Sequence, residues 1–134
     1  MKLNSIGLSE KDSKSLSEDL NELLANFQRY YQNLRGFHWY VSGNNFFDIH
    51  VFFEDLYNDA KINIDEVAER ILTIGHKPDG SLQTYLDKSL INESKDFLDD
   101  GLMVKSTLEN HRILIKLMRV VMKEASNVDD EGTV

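Results

Sequence analysis

Two of the four histidines of this 134-residue chain, and three carboxylates at helical intervals from the second of them, Glu54, Asp65 and Glu69, fall in one stretch, His38 to Glu69, HWYVSGNNFFDIHVFFEDLYNDAKINIDEVAE. Imidazole and carboxylate together are the ligand types of a first-row metal site, suited to iron, with zinc and manganese as competitors. No cysteine is present, which excludes disulfides, thiolate nucleophiles and every zinc or iron–sulfur site that needs sulfur. No serine sits in a glycine-flanked elbow and no glycine-rich phosphate loop occurs, so hydrolase and nucleotide chemistry find no support.

The spacing says how such a site would be assembled. On one helix at about 100° per residue, with His50 at zero, Glu54 falls near 40°, Asp65 near 60° and Glu69 near 100°. All four share one face. Along the axis, however, His50 and Asp65 stand about 22 Å apart, too far to bind one ion within one chain. Two antiparallel copies of the helix, related by a twofold axis between residues 59 and 60, set His50 opposite Glu69 and Glu54 opposite Asp65 of the other copy. His38, closing the preceding helix, would add a second imidazole. The plain alternative is that the carboxylates are merely solvated, as on most helices, and the chain is a helical scaffold.

The elements that must position these residues follow from apolar periodicity. Leu16, Leu20, Leu23, Phe27, Tyr31, Leu34 and His38 recur at steps of three and four and predict helix A over about 11–39. The break at Val41 to Gly43 and the capping residues Asn44, Asn45 and Asp48 start helix B, about 45–74. Gly75 and Pro78 end it, a short helix is expected at about 81–87, and helix C at about 94–125. In helix C the residues Phe97, Gly101, Val104, Leu108, His111, Ile115, Met118, Met122 and Ala125 form the expected buried stripe. After it, Asp129, Asp130 and Glu131 resemble the start of a helix D at about 129–134. The pattern predicts an all-α, single-domain four-helix bundle whose fourth helix is missing or cut short. His111 is expected to pack in the core and His76 to be solvated.

A formal net charge of −8 and a pI near 4.9 argue against a surface built for nucleic acid or anionic membrane. No leader and no apolar run long enough to span a bilayer is apparent, so a cytoplasmic location is expected.

Phe37-His38-Trp39, then Gly43, Phe46, His50, Glu54 and Tyr57, and the string Ile64-Asp65-Glu66-Val67-Ala68-Glu69-Arg70-Ile71 resemble the Dps family, the starved-cell DNA-protection proteins or miniferritins. The resemblance spans nearly the whole chain. It implies a ferritin-like fold, a hollow homododecamer built from twofold dimers, and oxidation of Fe(II), preferably by hydrogen peroxide, with two irons at each intersubunit site and ferric mineral stored inside. The ligands it implies are His38, His50 and Glu54 of one subunit with Asp65 and Glu69 of its mate. Glu54 stands where aspartate is common in the family, so its carboxylate would reach further, directly or through water. Trp39 is similar to a family tryptophan beside the site, and Asp129, Asp130 and Glu131 correspond to a helix end that lines a pore for iron entry. The other ferritin arrangement, Glu-x-x-His inside one bundle, is missing, because no histidine has a glutamate three residues before it. DNA binding, which the family usually performs with a lysine-rich tail, is weakly supported here, since Lys2, Lys11 and Lys14 are offset by Glu10 and Asp12.

Overall fold

In a computed structural model, described over residues 2–94 and 99–134, the chain folds into α1 (Glu10–Tyr40), α2 (Phe46–Thr73), α3 (Leu82–Lys88) and α4 (Asp100–Asn127). Phe97, expected on the buried stripe of helix C, lies outside the described residues. Among the described residues no strand forms beyond a lone antiparallel bridge between Leu3 and Ser9. Among the described residues no helix is long and apolar enough to cross a membrane.

α1 is the axis of the molecule. Its first turn is capped by the Ser9 hydroxyl, which accepts from the Asp12 amide, and carries Glu10 and Asp12 against the positive helix end. Leu16, Leu20, Leu23, Leu24, Phe27, Leu34 and Phe37 are buried along it. α2 packs back along this face, giving two apolar clusters. One holds Leu23, Phe27, Leu34, Phe37, Phe53, Ala60 and Met103, the other Leu16, Leu20, Leu24, Ile71, Ile74, Val121 and Ala125. Gly75, at φ +92°, ends α2: its amide and that of His76 turn back to the Leu72 and Ile71 carbonyls at 3.0 Å each. A side chain would strain that left-handed backbone.

Three buried asparagines on α1 fasten the long connection between α2 and α4. Asn21 Oδ1 accepts from the Asp79 amide at 2.9 Å, Asn26 Oδ1 from the Leu90 and Ile91 amides at 2.8 and 3.0 Å, and Asn33 Nδ2 donates to the Asn92 carbonyl at 3.0 Å. These bonds satisfy backbone groups that would otherwise lie unpaired against the helix.

α4 differs from the sequence expectation in two ways. Its N-cap is Asp99, whose carboxylate accepts from the Gly101 and Leu102 amides, not a residue near 94. Its core face is Met103, Thr107, Asn110, Leu114, Val121 and Ala125. Of the expected stripe, Gly101, Val104, Leu108, Ile115 and Met122 are exposed, Leu108 by 62%, while Ala125 is buried and His111 and Met118 are half-buried. The two stripes are about 80° apart on the helix. Apolar residues surround most of α4, so periodicity did not distinguish them, and Thr107 and Asn110 disguise the core face. Thr107 tolerates burial by donating its hydroxyl to the Met103 carbonyl at 2.8 Å. His111, Ile115, Met118 and Met122 instead line a groove of about 490 Å³ shared with α1 and α2.

The expected start of helix D is a turn. Asp129 adopts φ +61°, and residues 128–133 form consecutive turns. Asp130 is only 2% exposed and accepts from Arg70 Nη2 on α2 at 2.5 Å, while Arg70 Nε donates to the Thr133 hydroxyl at 3.0 Å. The reversal at Asp129 directs Asp130 to the guanidinium and leaves no helical continuation within these residues.

Candidate metal centre

The end of α1 and the start of α2 meet at a tight connection, in which the buried Val41 donates its amide to the Phe37 carbonyl at 2.9 Å and Gly43 turns the chain at φ +99°. The turn brings His38 and His50 face to face. Their rings stack with centroids 3.6 Å apart and planes inclined by 17°. His38 Nδ1 lies 2.7 Å from the His50 carbonyl oxygen, and His50 Nδ1 lies 2.7 Å from the His38 carbonyl oxygen. A carbonyl can only accept, so each Nδ1 carries a hydrogen, and in the neutral ring each Nε2 is then the basic nitrogen. This reciprocal pair fixes the tautomer of both rings, as a backbone partner does for metal-binding histidines.

Aromatic packing holds the stack in place. Phe46 covers His50 at 4.8 Å, Tyr57 meets His38 edge-on at 5.3 Å, and Phe37 rests against Phe53 at 5.4 Å beneath. His38 is 8% exposed and His50 half-buried.

The carboxylates are placed differently. Glu54 is half-buried on α2, one turn beyond His50, whereas Asp65 and Glu69 are exposed further along the same helix. Among the described residues no three His, Asp or Glu side chains gather closely enough to hold an ion within one chain. The fold therefore brings His38 and His50 together and leaves Asp65 and Glu69 on an outer face. That face also exposes large apolar groups, with Phe47 81% and Leu72 59% accessible. Trp39 follows His38 but is 56% exposed, its ring under the Arg35 guanidinium at 4.9 Å. Of the acidic residues near the C-terminus, Asp129 and Glu131 are exposed, while Asp130 is occupied by Arg70.

His111 is not at this centre. Its Nε2 shares a hydrogen bond of 2.7 Å with the Tyr30 hydroxyl beside the groove, and burial lowers its pKa. Tyr30 is raised to about 12 by burial and then by the charge of Asp59, so its phenol stays protonated. His76 is half-buried in the break after α2. Sequence reasoning missed the reciprocal histidine bonds, whose backbone acceptors have no sequence signature. It also missed Arg70 as the partner of Asp130.

Comparison with known proteins places this architecture. The family model described as a ferritin-like domain matches residues 17–134. The chain is 37% identical over 121 residues to DNA protection during starvation protein 2 of Bacillus anthracis, an alignment covering 90% of this chain and 83% of that one. It superposes on the crystal structure of a Dps protein from Vibrio cholerae O1 with TM-score 0.97 and 40% identity, covering 99% of this chain and 84% of that one. That protein is described as a member of a broad superfamily of ferritin-like diiron-carboxylate proteins. Dps from Staphylococcus aureus matches with TM-score 0.86 and 36% identity over 90% of this chain and 80% of its own.

Proposed function

This chain belongs to the Dps family of ferritin-like proteins, and on that premise we propose that it is a ferroxidase: it oxidises Fe(II), preferably with hydrogen peroxide, at sites shared by two copies, and stores the Fe(III) product. The observation that carries this reading is the reciprocal His38–His50 bond pair, which leaves Nε2 as the basic nitrogen of both stacked rings. A histidine pair serving only the core needs no such matched tautomers.

Glu54 comes from the same copy as the histidines, and Asp65 and Glu69 come from the mate. In the antiparallel register centred between residues 59 and 60, Asp65 and Glu69 of one copy face Glu54 and His50 of the other. The same register sets exposed Phe47 opposite exposed Leu72, so the contact that completes the site also covers apolar surface. Two imidazoles and three carboxylates suit two ferrous ions as substrate, with zinc or manganese competing. Peroxide accepts one electron from each of two Fe(II) ions and, with two protons, leaves as water. Both ingredients of hydroxyl radical are thereby withheld. Further assembly into a dodecamer would supply the storage volume, and Asp129 and Glu131 are carboxylates free to draw cations toward it.

Direct DNA binding is disfavoured by the net charge of −8; in this reading protection is chemical. The test is ferrous oxidation by peroxide with wild type, His50→Ala, Asp65→Ala, and the two variants refolded together. Each variant alone should be inactive. Random pairing of the two should restore about a quarter of the sites, because only one of two sites in a mixed dimer has every ligand. No recovery on mixing would eliminate the shared site, and no acceleration by wild type would leave the scaffold reading.

A further inference from the structure

The first turn of α2 is held weakly by its own helix. α1, α3 and α4 each begin with a side chain that accepts from the first turn, from Ser9, Ser81 and Asp99. Asn45 occupies that position in α2 without such a bond, and the Phe46 amide reaches the Gly43 carbonyl only at 3.3 Å. An uncapped helix end leaves amides unsatisfied and frays readily. Yet this turn carries two adjacent rings with different surroundings. Phe46 is half-buried and stacks on His50 at 4.8 Å with planes inclined by 21°, while His38 stacks on the same ring at 3.6 Å. Two rings cannot lie on one face of an imidazole at those distances, so His50 is sandwiched between His38 and Phe46. Phe47 is 81% exposed and meets Phe46 edge-on at 5.3 Å. We propose that Phe46 is a positioning residue that couples the contact at Phe47 to the setting of His50: the mate, seated on Phe47, orders the first turn of α2, and the ordered turn holds the His50 ring against His38. This rests on the shared-site reading, which places Phe47 opposite Leu72 of the mate.

An imidazole turns easily about its Cβ–Cγ bond, whose torsion has broad minima. Half a turn of His50 breaks the bond from its Nδ1 to the His38 carbonyl and puts a carbon where Nε2 stood. His50 is half-buried, so water competes for that carbonyl, and one hydrogen bond is a weak restraint. Rings on both faces restrain it more strongly. Rotation drives one edge of the imidazole into His38 and the other into Phe46, so both neighbours must move before it can turn. Phe46 and His50 are four residues apart, one helical turn, and the stack exists only while the helix runs from residue 46. When the turn frays, His50 keeps His38 alone. Covering Phe47 with the mate ties the ordered turn to burial of apolar surface, which shifts the balance against fraying. The mate's carboxylates and the set His50 ring therefore arrive together, and a lone chain does not present a half-formed site to ferrous ion.

Hydrogen exchange read by mass spectrometry tests this on metal-free protein, with light scattering reporting the dimer. Two signals are followed across dilution: the backbone amides of residues 46–50, and the imidazole Cε1 proton of His50, which exchanges more slowly when the ring is enclosed. In wild type both should slow as the dimer forms. At concentrations where both proteins are dimeric, Phe46→Leu should exchange at His50 about fivefold faster than wild type, the scale of one lost aromatic stack. The mate's own cover is the same in the two dimers, so the difference reports the stack. Phe46→Tyr keeps a ring on His50 and should retain the wild-type rate. Equal His50 exchange in the Phe46→Leu and wild-type dimers overturns the positioning role, and amides that exchange alike in monomer and dimer overturn the coupling. A second arm measures oxidation of Fe(II) by peroxide. Phe46→Leu should raise the iron concentration at half-maximal rate and keep the rate at saturation; a fall in the saturating rate alone overturns positioning. Exchange that behaves as stated in a protein that does not oxidise iron refutes the ferroxidase reading alone.

Discussion

Arg70 and Asp130 close the C-terminal turn onto α2, Nη2 to Oδ1 at 2.5 Å, with Asp130 buried and the Arg70 side chain one-quarter exposed. Thr133 completes the arrangement by donating to Asp130 and accepting from Arg70. Breaking a fully buried pair costs about 3–5 kcal/mol, and water reaching Arg70 reduces that here, so Asp130→Ala should destabilise the fold by about 2 kcal/mol. Gly132→Ala should also destabilise, because an added Cβ would lie 2.5 Å from Arg70 Nη2. Denaturant unfolding of both variants checks this; wild-type stability in Asp130→Ala would show that the turn is not coupled to the bundle.

Asn26 is fully buried and its Oδ1 serves two backbone amides, Leu90 and Ile91. Asn26→Ala leaves both without an acceptor, at a cost of about 1–3 kcal/mol for a buried group. The amides of Leu90 and Ile91 should lose protection in hydrogen exchange while those in the middle of α2 keep theirs.

Phe47 is exposed in the single chain, so Phe47→Glu should leave the fold of one copy intact. In the twofold register the new charge faces the apolar Leu72 and weakens the dimer. An interface loss of about 1.4 kcal/mol is tenfold in dimer affinity. Ferrous oxidation in dilute solution should fall although every ligand remains, and recover as protein concentration rises. Oxidation unchanged at all dilutions, with dimerisation measured in parallel by light scattering, would refute this register.

Asp19 and His111 shift in opposite directions, and both shifts favour the neutral form. Burial raises Asp19 to about 7, assisted by its hydrogen bond to Glu124 and by the charges of Glu124, Glu22 and Glu18. The folded state then holds a proton that the unfolded chain releases at an ordinary carboxyl pKa near 3.9. Its contribution is full below that value and is lost as pH rises toward about 7. Asp19→Asn should therefore gain stability over wild type near and above neutrality and converge with it in acid.

For His111 burial favours the neutral ring, so the unfolded chain binds the proton more readily. Stability from this group is present above an unfolded value of about 6.5 and declines as pH falls below it. Thermal unfolding of wild type and His111→Phe between pH 8 and 5 should show the decline only in wild type. A His111 titration by NMR at or above the free value would contradict it.

The helices and the spacing of the candidate ligands were legible in the sequence for local reasons. Apolar steps of three and four placed α1 and α2, Gly75 and Pro78 marked a break, and axial rise alone showed that His50 and Asp65 could not share an ion within one chain. α4 was legible as a helix but not in its orientation, because apolar residues cover most of its circumference and only packing against α1 selects Met103, Thr107 and Leu114 over Val104 and Leu108.

By itself the sequence determined the residue types of the candidate ligands, the common face that those on α2 share and the family, since these depend on residue identity and helical repeat. Only the tertiary structure decided that His38 and His50 stack and fix one another's tautomers, that Asp130 is held by Arg70, and that Tyr57 packs edge-on against both His38 and Tyr31. Each of these contacts joins groups from different elements, or a side chain to a backbone carbonyl. Their formation depends on how helices settle against one another, and a linear pattern carries no term for that.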